Sequence, residues 1–329
     1  MIREMVPKVS VIIPVYGVEK FIGRCARHLF EQTLKDIEYI FVDDKSPDCS
    51  IDILQEVLSD YPDRQNQVKI IHHESNKGLP FARQTGIKAA SGEYIAHCDS
   101  DDWVDLNFYE TLYNEAKMKN ADVAVSNCYD TDGNNVIRER TGGFQYNVSD
   151  CIDDMLHGKM WWSLCNKMIK REIYSQSIDY PKDGMGEDMC TTLQLMLYCR
   201  SIVYCPSVHY FYYINEGSMM HCLTEEKCFS NFHQIKRNVE IVTNVYKRND
   251  LYDFYRSGLN YIAFKSKSHL YPLLGIRKYY KVWKTSFVGV EINVSLNRKV
   301  AIKERVMALL SIVGLFPFPR DKYSYLLKK

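Results

Sequence analysis

With 329 residues, 46% of them hydrophobic and 25% charged, and a net charge of +1, the chain has the make-up of a globular protein with room for one large domain and a smaller appendage. Eleven cysteines, an odd count with no C-x-x-C pair and several members inside apolar runs, argue against a disulfide frame or a zinc site and for reduced thiols used as small core residues. Residues 1–7 are too short and polar for a signal sequence, so a cytoplasmic location is expected.

In chain order, 8–14 is an apolar run ended by Pro14 and predicts a first strand, followed by a helix over 18–31. A second strand over 37–42 closes on Asp43-Asp44-Lys45-Ser46-Pro47-Asp48. Ile51, Leu54, Val57 and Leu58 then recur at helical spacing behind a Ser50 cap. A third strand over 68–71 precedes a helix over 80–90. A fourth strand over 94–98 precedes a helix over 105–119, and 122–128 predicts a fifth strand. Strands alternating with helices imply a parallel sheet covered on both faces. There is no G-x-G-x-x-G or Walker loop, so the usual dinucleotide and P-loop phosphate cradles are missing.

The fourth strand runs straight into Asp99, Asp101 and Asp102, at the carboxyl end where open α/β sheets place ligand-binding groups. Asp99 and Asp101 flank Ser100, so two hard oxygen donors can reach one cation while phosphate oxygens take its other positions. Taken alone, a short acidic cluster is more often a solvated turn; its neighbours change that reading.

Those neighbours follow one order: Val9-Ser10-Val11-Ile12-Ile13-Pro14-Val15-Tyr16, Val42-Asp43-Asp44, Asn76-Lys77-Gly78-Leu79-Pro80-Phe81-Ala82-Arg83, Ser91-Gly92-Glu93-Tyr94 through Trp103, and Gly186-Glu187-Asp188. This order resembles the GT-A glycosyltransferases of family 2, inverting enzymes that take a sugar from a nucleotide diphosphate. The resemblance implies an α/β, Rossmann-like and mostly parallel sheet flanked by helices. It spans 1–223, with a nucleotide half at 1–128 and an acceptor half at 129–223. Beyond it, 224–329 is expected to be a basic, mainly helical extension.

The resemblance also implies roles. Asp101 would hold Mn²⁺ or Mg²⁺, with Asp99 toward the metal or the ribose, Ser100 between them, and Asp102 behind the site. Trp103 is expected to pack in the core. Pro14, Val15 and Tyr16 would border the nucleoside, Tyr16 lying against the base, and Asp44 would accept the uracil imide N–H, with a self-bonded turn as the alternative for one of Asp43 and Asp44. Arg83 would reach the base or phosphates, unless it is a surface arginine. Asp188 is the expected catalytic base beside Glu187, with Trp162 and Lys167 shaping the acceptor pocket. Relatives often carry an arginine after the paired tyrosines of a Tyr-Tyr-x-x-x-x-Gly-Ser segment. This chain has Ile214 there, so a positive contact to the diphosphate must come from Arg83, His221 or the basic tail, or else neutral donors at Tyr213, Asn215 and Ser218 serve instead.

Charge is uneven. Residues 225–329 hold 20 Lys and Arg against 8 Asp and Glu, an excess of 12, while the preceding part carries 22 against 33. The segment 305–318 is the most apolar of the chain but too short to span a bilayer. It is expected either to anchor on an anionic membrane surface or to pack on protein. No nucleic-acid module accompanies the charge. The expected activity is metal-dependent, inverting transfer from a nucleotide sugar, a UDP-sugar foremost, to a saccharide or lipid-linked acceptor in surface-polysaccharide synthesis. The alternatives are nucleotidyl transfer and a catalytically silent sugar-nucleotide scaffold.

Overall fold

The computed structural model describes residues 6–140, 147–214 and 224–314. Strand β1 (Val9–Val15) is buried along its whole length, as an apolar run without alternation requires when helices cover both faces of a sheet. It pairs in parallel with β2 (Ile37–Asp43) and β4 (Tyr94–His97), and β2 pairs in parallel with β3 (Val68–His72). Helices α1 (Ile22–Phe30), α2 (Ser50–Ser59) and α3 (Leu79–Ala89) connect these strands. Gly86 lets α3 settle on β1, since a Cβ there would stand 2.3 Å from Ile12 Cγ2.

After the short β5 (Trp103–Val104) and α4 (Phe108–Met118), the pattern departs from the simple parallel alternation predicted. The fifth predicted strand is β6 (Val123–Thr131), which carries β7 (Val136–Arg140) as a hairpin partner. Following α5 (Val148–Leu156), β8 (Lys167–Lys170) inserts between β4 and β6, antiparallel to both. After α6 (Glu187–Tyr198), β9 (Ile202–Tyr213) pairs in parallel with β6. The sheet order is β3-β2-β1-β4-β8-β6-β9-β5: mixed, largely parallel, and GT-A-like. Four residues were too few for periodicity to reveal β8.

Alternate residues of β1 feed two cores. Val9, Val11, Ile13 and Val15 pack with Leu29 of α1 and Leu112 of α4. Ile12 belongs to a second cluster with Met155 of α5 and Leu193 of α6. Of the C-terminal helices α7 (Glu225–Arg248), α8 (Tyr252–Ser266), α9 (Arg277–Thr285), α10 (Val290–Leu296) and α11 (Ile302–Ile312), all but α9 join that second cluster, through Val239, Leu259, Val294 and Ala308, while α9 packs through Tyr279 and Trp283 in a separate small cluster with Phe232 of α7. The helical region after residue 224 therefore shares one apolar core with the α/β part. Among the described residues no helix is long and apolar enough to cross a membrane. Apart from exposed Cys49, the described cysteines are buried.

Candidate active site

Because β1, β2 and β4 are parallel neighbours, their carboxyl ends open on one edge of the sheet, which gathers Tyr16, Asp43-Asp44 and the 99–102 loop. Pro14 and Val15 lie inside the buried strand, and Tyr16, half exposed, stands at its mouth. The acidic loop is fastened from β9. Asp102, fully buried, accepts hydrogen bonds from Tyr210 Oη at 2.6 Å and Tyr213 N at 2.7 Å, and Tyr210 Oη also accepts from Asp99 N at 3.0 Å. With both oxygens engaged, Asp102 serves as the anchor of the loop. Ser100 is buried, and Asp99 and Asp101 stay partly open.

Burial pushes the Asp101 carboxyl up to about 6, with the nearby Asp99 charge adding to the effect. Asp101 is also held through its backbone: Arg24 Nη2 of α1 donates to its carbonyl at 2.7 Å. The Arg24 guanidinium lies 3.9 Å from the Trp103 ring centre and 4.7 Å from that of Tyr213. Trp103, expected in the core, is half-buried and stacks on Phe211 instead. Sequence reading missed Arg24, which sits in no motif; only the fold brings it to the acidic loop and to Tyr213 at the end of β9.

Arg83 is no surface arginine, because its side chain is 4% exposed and surrounded by carboxylates. Its Nη2 donates to Asp99 Oδ1 at 2.8 Å and lies 3.9 Å from Asp188 Oδ1, and its Nε is 2.8 Å from Glu187 Oε1. The Glu187 contact is an ion pair without hydrogen-bond alignment. Burial pushes the Glu187 carboxyl well up; Arg83 pulls it down, and Asp188 and Asp99 add to the rise. Asp99 is likewise raised by burial against the pull of Arg83.

Glu187 and Asp188 open α6, where the helix dipole favours negative charge. Gly186 caps that helix at φ 76°, and a Cβ would stand 3.1 Å from Ile235 Cγ1 of α7. Further clamps come from α7: Asn238 Nδ2 donates to Met185 O at 2.8 Å, and Arg237 pairs with Asp183 at 2.7 Å. The loop that delivers the candidate base is thus shaped by the C-terminal helices, a dependence no local pattern announces.

Two expected acceptor contacts receive other tasks. Glu187 is buried against Arg83. Lys167 is buried, with its ammonium group donating to Trp161 O, Ser163 O and Asn166 Oδ1 at 2.8, 2.7 and 2.9 Å, so all three donors are spent on the 161–166 loop. Burial lowers its pKa to about 8. Trp162 is half-buried against the core, whereas Trp161 is exposed with Arg140 over its ring at 4.0 Å.

Asp44 is also occupied: Oδ1 accepts from Lys77 N at 2.8 Å and faces His73 Nδ1 at 2.7 Å, and Oδ2 accepts from Gly78 N at 2.7 Å. One lone pair of Oδ2 remains for a ligand N–H. Asp43 makes the local turn, accepting from Ser46 N at 2.7 Å. Asn215, Ser218 and His221 lie outside the described residues.

The chemistry of the donor set fits a divalent cation. Asp99 and Asp101 are two partly open carboxylates at one loop, and the burial-raised affinity of Asp101 for a proton is the same electrostatic demand a cation would satisfy. Among the described residues no group of three or more His, Cys, Asp and Glu surrounds one point, so phosphate and water oxygens would have to complete the shell.

A strand-end acidic loop, a carboxylate at the start of α6 and a mixed sheet of this order are the arrangement expected of the GT-A fold. The family model described as glycosyl transferase family 2 matches residues 10–185. GlyG, a glycosyltransferase of Streptococcus pneumoniae serotype 4, is 30% identical over 229 residues, 64% of this chain and 72% of GlyG. A cholesterol galactosyltransferase of Borreliella burgdorferi is 26% identical over 97% of this chain and 86% of its own length. GlyA, also of Streptococcus pneumoniae serotype 4, is longer: the match, 27% identical, covers 72% of this chain but only 35% of GlyA. TarS 1–349 from S. aureus superimposes with a TM-score of 0.70 at 19% identity, over 97% of this chain and 90% of that one. Its complex with UDP-GlcNAc gives 0.60 at 16%, over 94% and 93%. The chain belongs to glycosyl transferase family 2 and is a glycosyltransferase.

Proposed function

We propose that the protein is an inverting, metal-dependent glycosyltransferase that moves a sugar from a nucleoside diphosphate, UDP foremost, to a saccharide or lipid-linked acceptor in surface-polysaccharide synthesis at the cytoplasmic face of the membrane. The observation that carries the reading is the Arg83 junction, which ties Asp99 of the acidic loop to Glu187 and Asp188 of α6. A nucleotidyltransferase has no need of a base at that distance. The UDP-GlcNAc complex of a protein with this fold supports the donor class, and the cholesterol galactosyltransferase supports a lipid-linked acceptor.

In this mechanism the nucleoside lies across the ends of β1 and β2, with Tyr16 against the base and Asp44 accepting its imide N–H. The acceptor hydroxyl attacks the anomeric carbon from the side opposite the leaving group, Asp188 Oδ takes its proton, and the bond to the diphosphate oxygen breaks with inversion. Mn²⁺ or Mg²⁺ held by Asp101 and Asp99 would neutralise the charge growing on the departing diphosphate. Asp102 and Arg24 hold the loop that carries those carboxylates, while Arg83 keeps Asp99 and Asp188 in register and offsets their repulsion. Incubation with Mn²⁺ and a panel of nucleotide sugars should release nucleoside diphosphate from one of them, and proton NMR of the product should show the opposite anomer. Retention of configuration, or turnover unchanged in excess EDTA, would refute the corresponding part.

A further inference from the structure

Helix α11 is inside out for a surface helix. Its inner side contributes Ala308 and Ser311 to the interior, while Ile302, Val306, Leu309 and Val313, spaced four, three and four residues apart, form one outward stripe between 47% and 75% exposed. Among the described residues of α11, Lys303 alone is both charged and exposed. Glu304 is half-buried and paired with Lys265 at 2.8 Å, and Arg305 Nε donates to Ser295 O at 3.1 Å. The adjoining α10 repeats the pattern with Ile292 and Leu296, one turn apart and both exposed.

The end of α11 meets α9, where a Cβ at Gly314 would stand 3.7 Å from Tyr280 Oη. The exposed side of α9 is basic. Arg277, Lys281 and Lys284 share one face, with no ion pair to any described carboxylate. From 277 to 305 there are eight bases and two acids, and both acids, Glu291 and Glu304, are already paired with Lys267 and Lys265.

We propose that the outer face of α9, α10 and α11 docks on an anionic lipid bilayer, the α11 stripe entering the headgroup boundary and the α9 bases meeting lipid phosphates. Charge selects lipid over the other coverings. A second copy of this chain would bring basic α9 stripes toward each other, and residues 315–329, with four bases and one acid, supply no compensating charge. The inference rests on the proposed function only for its use, which is to hold Asp188 near a lipid-linked acceptor.

The test is co-sedimentation of the full chain, without nucleotide sugar, on phosphatidylcholine vesicles with and without phosphatidylglycerol, at low and high salt. Binding should require phosphatidylglycerol and weaken with salt. Lys281→Gln and Lys284→Gln should each reduce it roughly fivefold, and Val306→Glu with Leu309→Glu should reduce it roughly tenfold or more at an unchanged melting temperature. Absence of binding at low salt, binding indifferent to the glutamate pair, or a dimer that the pair dissolves would each overturn the proposal. If the glutamate pair fails to fold, the lysine variants and the lipid comparison still decide. Nucleoside diphosphate release measured on the same samples separates a failure of docking from a failure of the enzymatic reading.

Discussion

Arg83 Nη2 stands 3.9 Å from Asp188 Oδ1, although α3 and α6 come from different halves of the sheet. The same nitrogen donates to Asp99 Oδ1 at 2.8 Å, so one buried guanidinium sets the spacing between the metal-side carboxylate and the candidate base.

Removing that charge should be costly. Arg83→Met leaves Glu187 buried without its counter-ion and should destabilise the fold by about 3–5 kcal/mol, as breaking a buried pair does. Adding Glu187→Gln should recover part of the loss, because the unpaired buried charge goes with it. Denaturant melts of the single and double variants check this; a double variant no more stable than Arg83→Met would show that the pair is not coupled.

Asp188→Asn keeps shape and removes the proton acceptor. Turnover should fall by roughly 10²–10⁴ with donor affinity little changed. Calorimetric titration with UDP beside steady-state kinetics separates the two quantities. Parallel loss of both would make Asp188 a binding residue.

Asp101→Ala should abolish transfer and the metal-dependent part of UDP binding while leaving the melting temperature near that of the parent, since no described side chain bonds to the Asp101 carboxylate and Arg24 grips its backbone. Titration of UDP with and without Mn²⁺ is the measurement. A variant that still gains affinity from Mn²⁺ would remove Asp101 from the metal assignment.

His157 makes stability depend on acid. It is buried at the end of α5, where Nδ1 donates to Asp153 O at 2.8 Å and Nε2 accepts from Asn297 Nδ2 at 3.0 Å, with Ser257 Oγ at 3.3 Å. Burial lowers its pKa; the Asp153 carbonyl and carboxylate oppose this, and Lys299 and Lys159 add to it. A base whose folded pKa lies below the unfolded value of 6.5 contributes stability that is full above 6.5 and lost as pH falls through the folded pKa. The unfolding free energy from denaturant melts should therefore fall from pH 6.5 to 5 more steeply in the parent than in His157→Gln, by up to about 1.4 kcal/mol per pH unit. Equal slopes would exclude His157 as the cause.

The nucleotide half was legible because its strands are buried on both faces and each ends in a polar cluster: β1, β2, β3 and β4 fall where apolar runs and turn residues put them. The acidic loop and Gly186-Glu187-Asp188 could be picked out for the same local reason, since carboxylates at strand ends and helix starts leave a mark in the sequence. Those local signals, together with family order, determined the fold class and the candidate carboxylates. Only the tertiary structure decided which polar groups stay open. Lys167 and Glu187 look like ligand contacts in the chain, but the one is folded back over its own loop and the other is buried against Arg83, a partner distant in sequence. The antiparallel β8, the grip of α7 on the 183–186 loop and the approach of Arg24 to Asp101 are likewise long-range events. Pairing, burial and charge compensation depend on which surfaces meet, and a single chain read residue by residue carries no record of that.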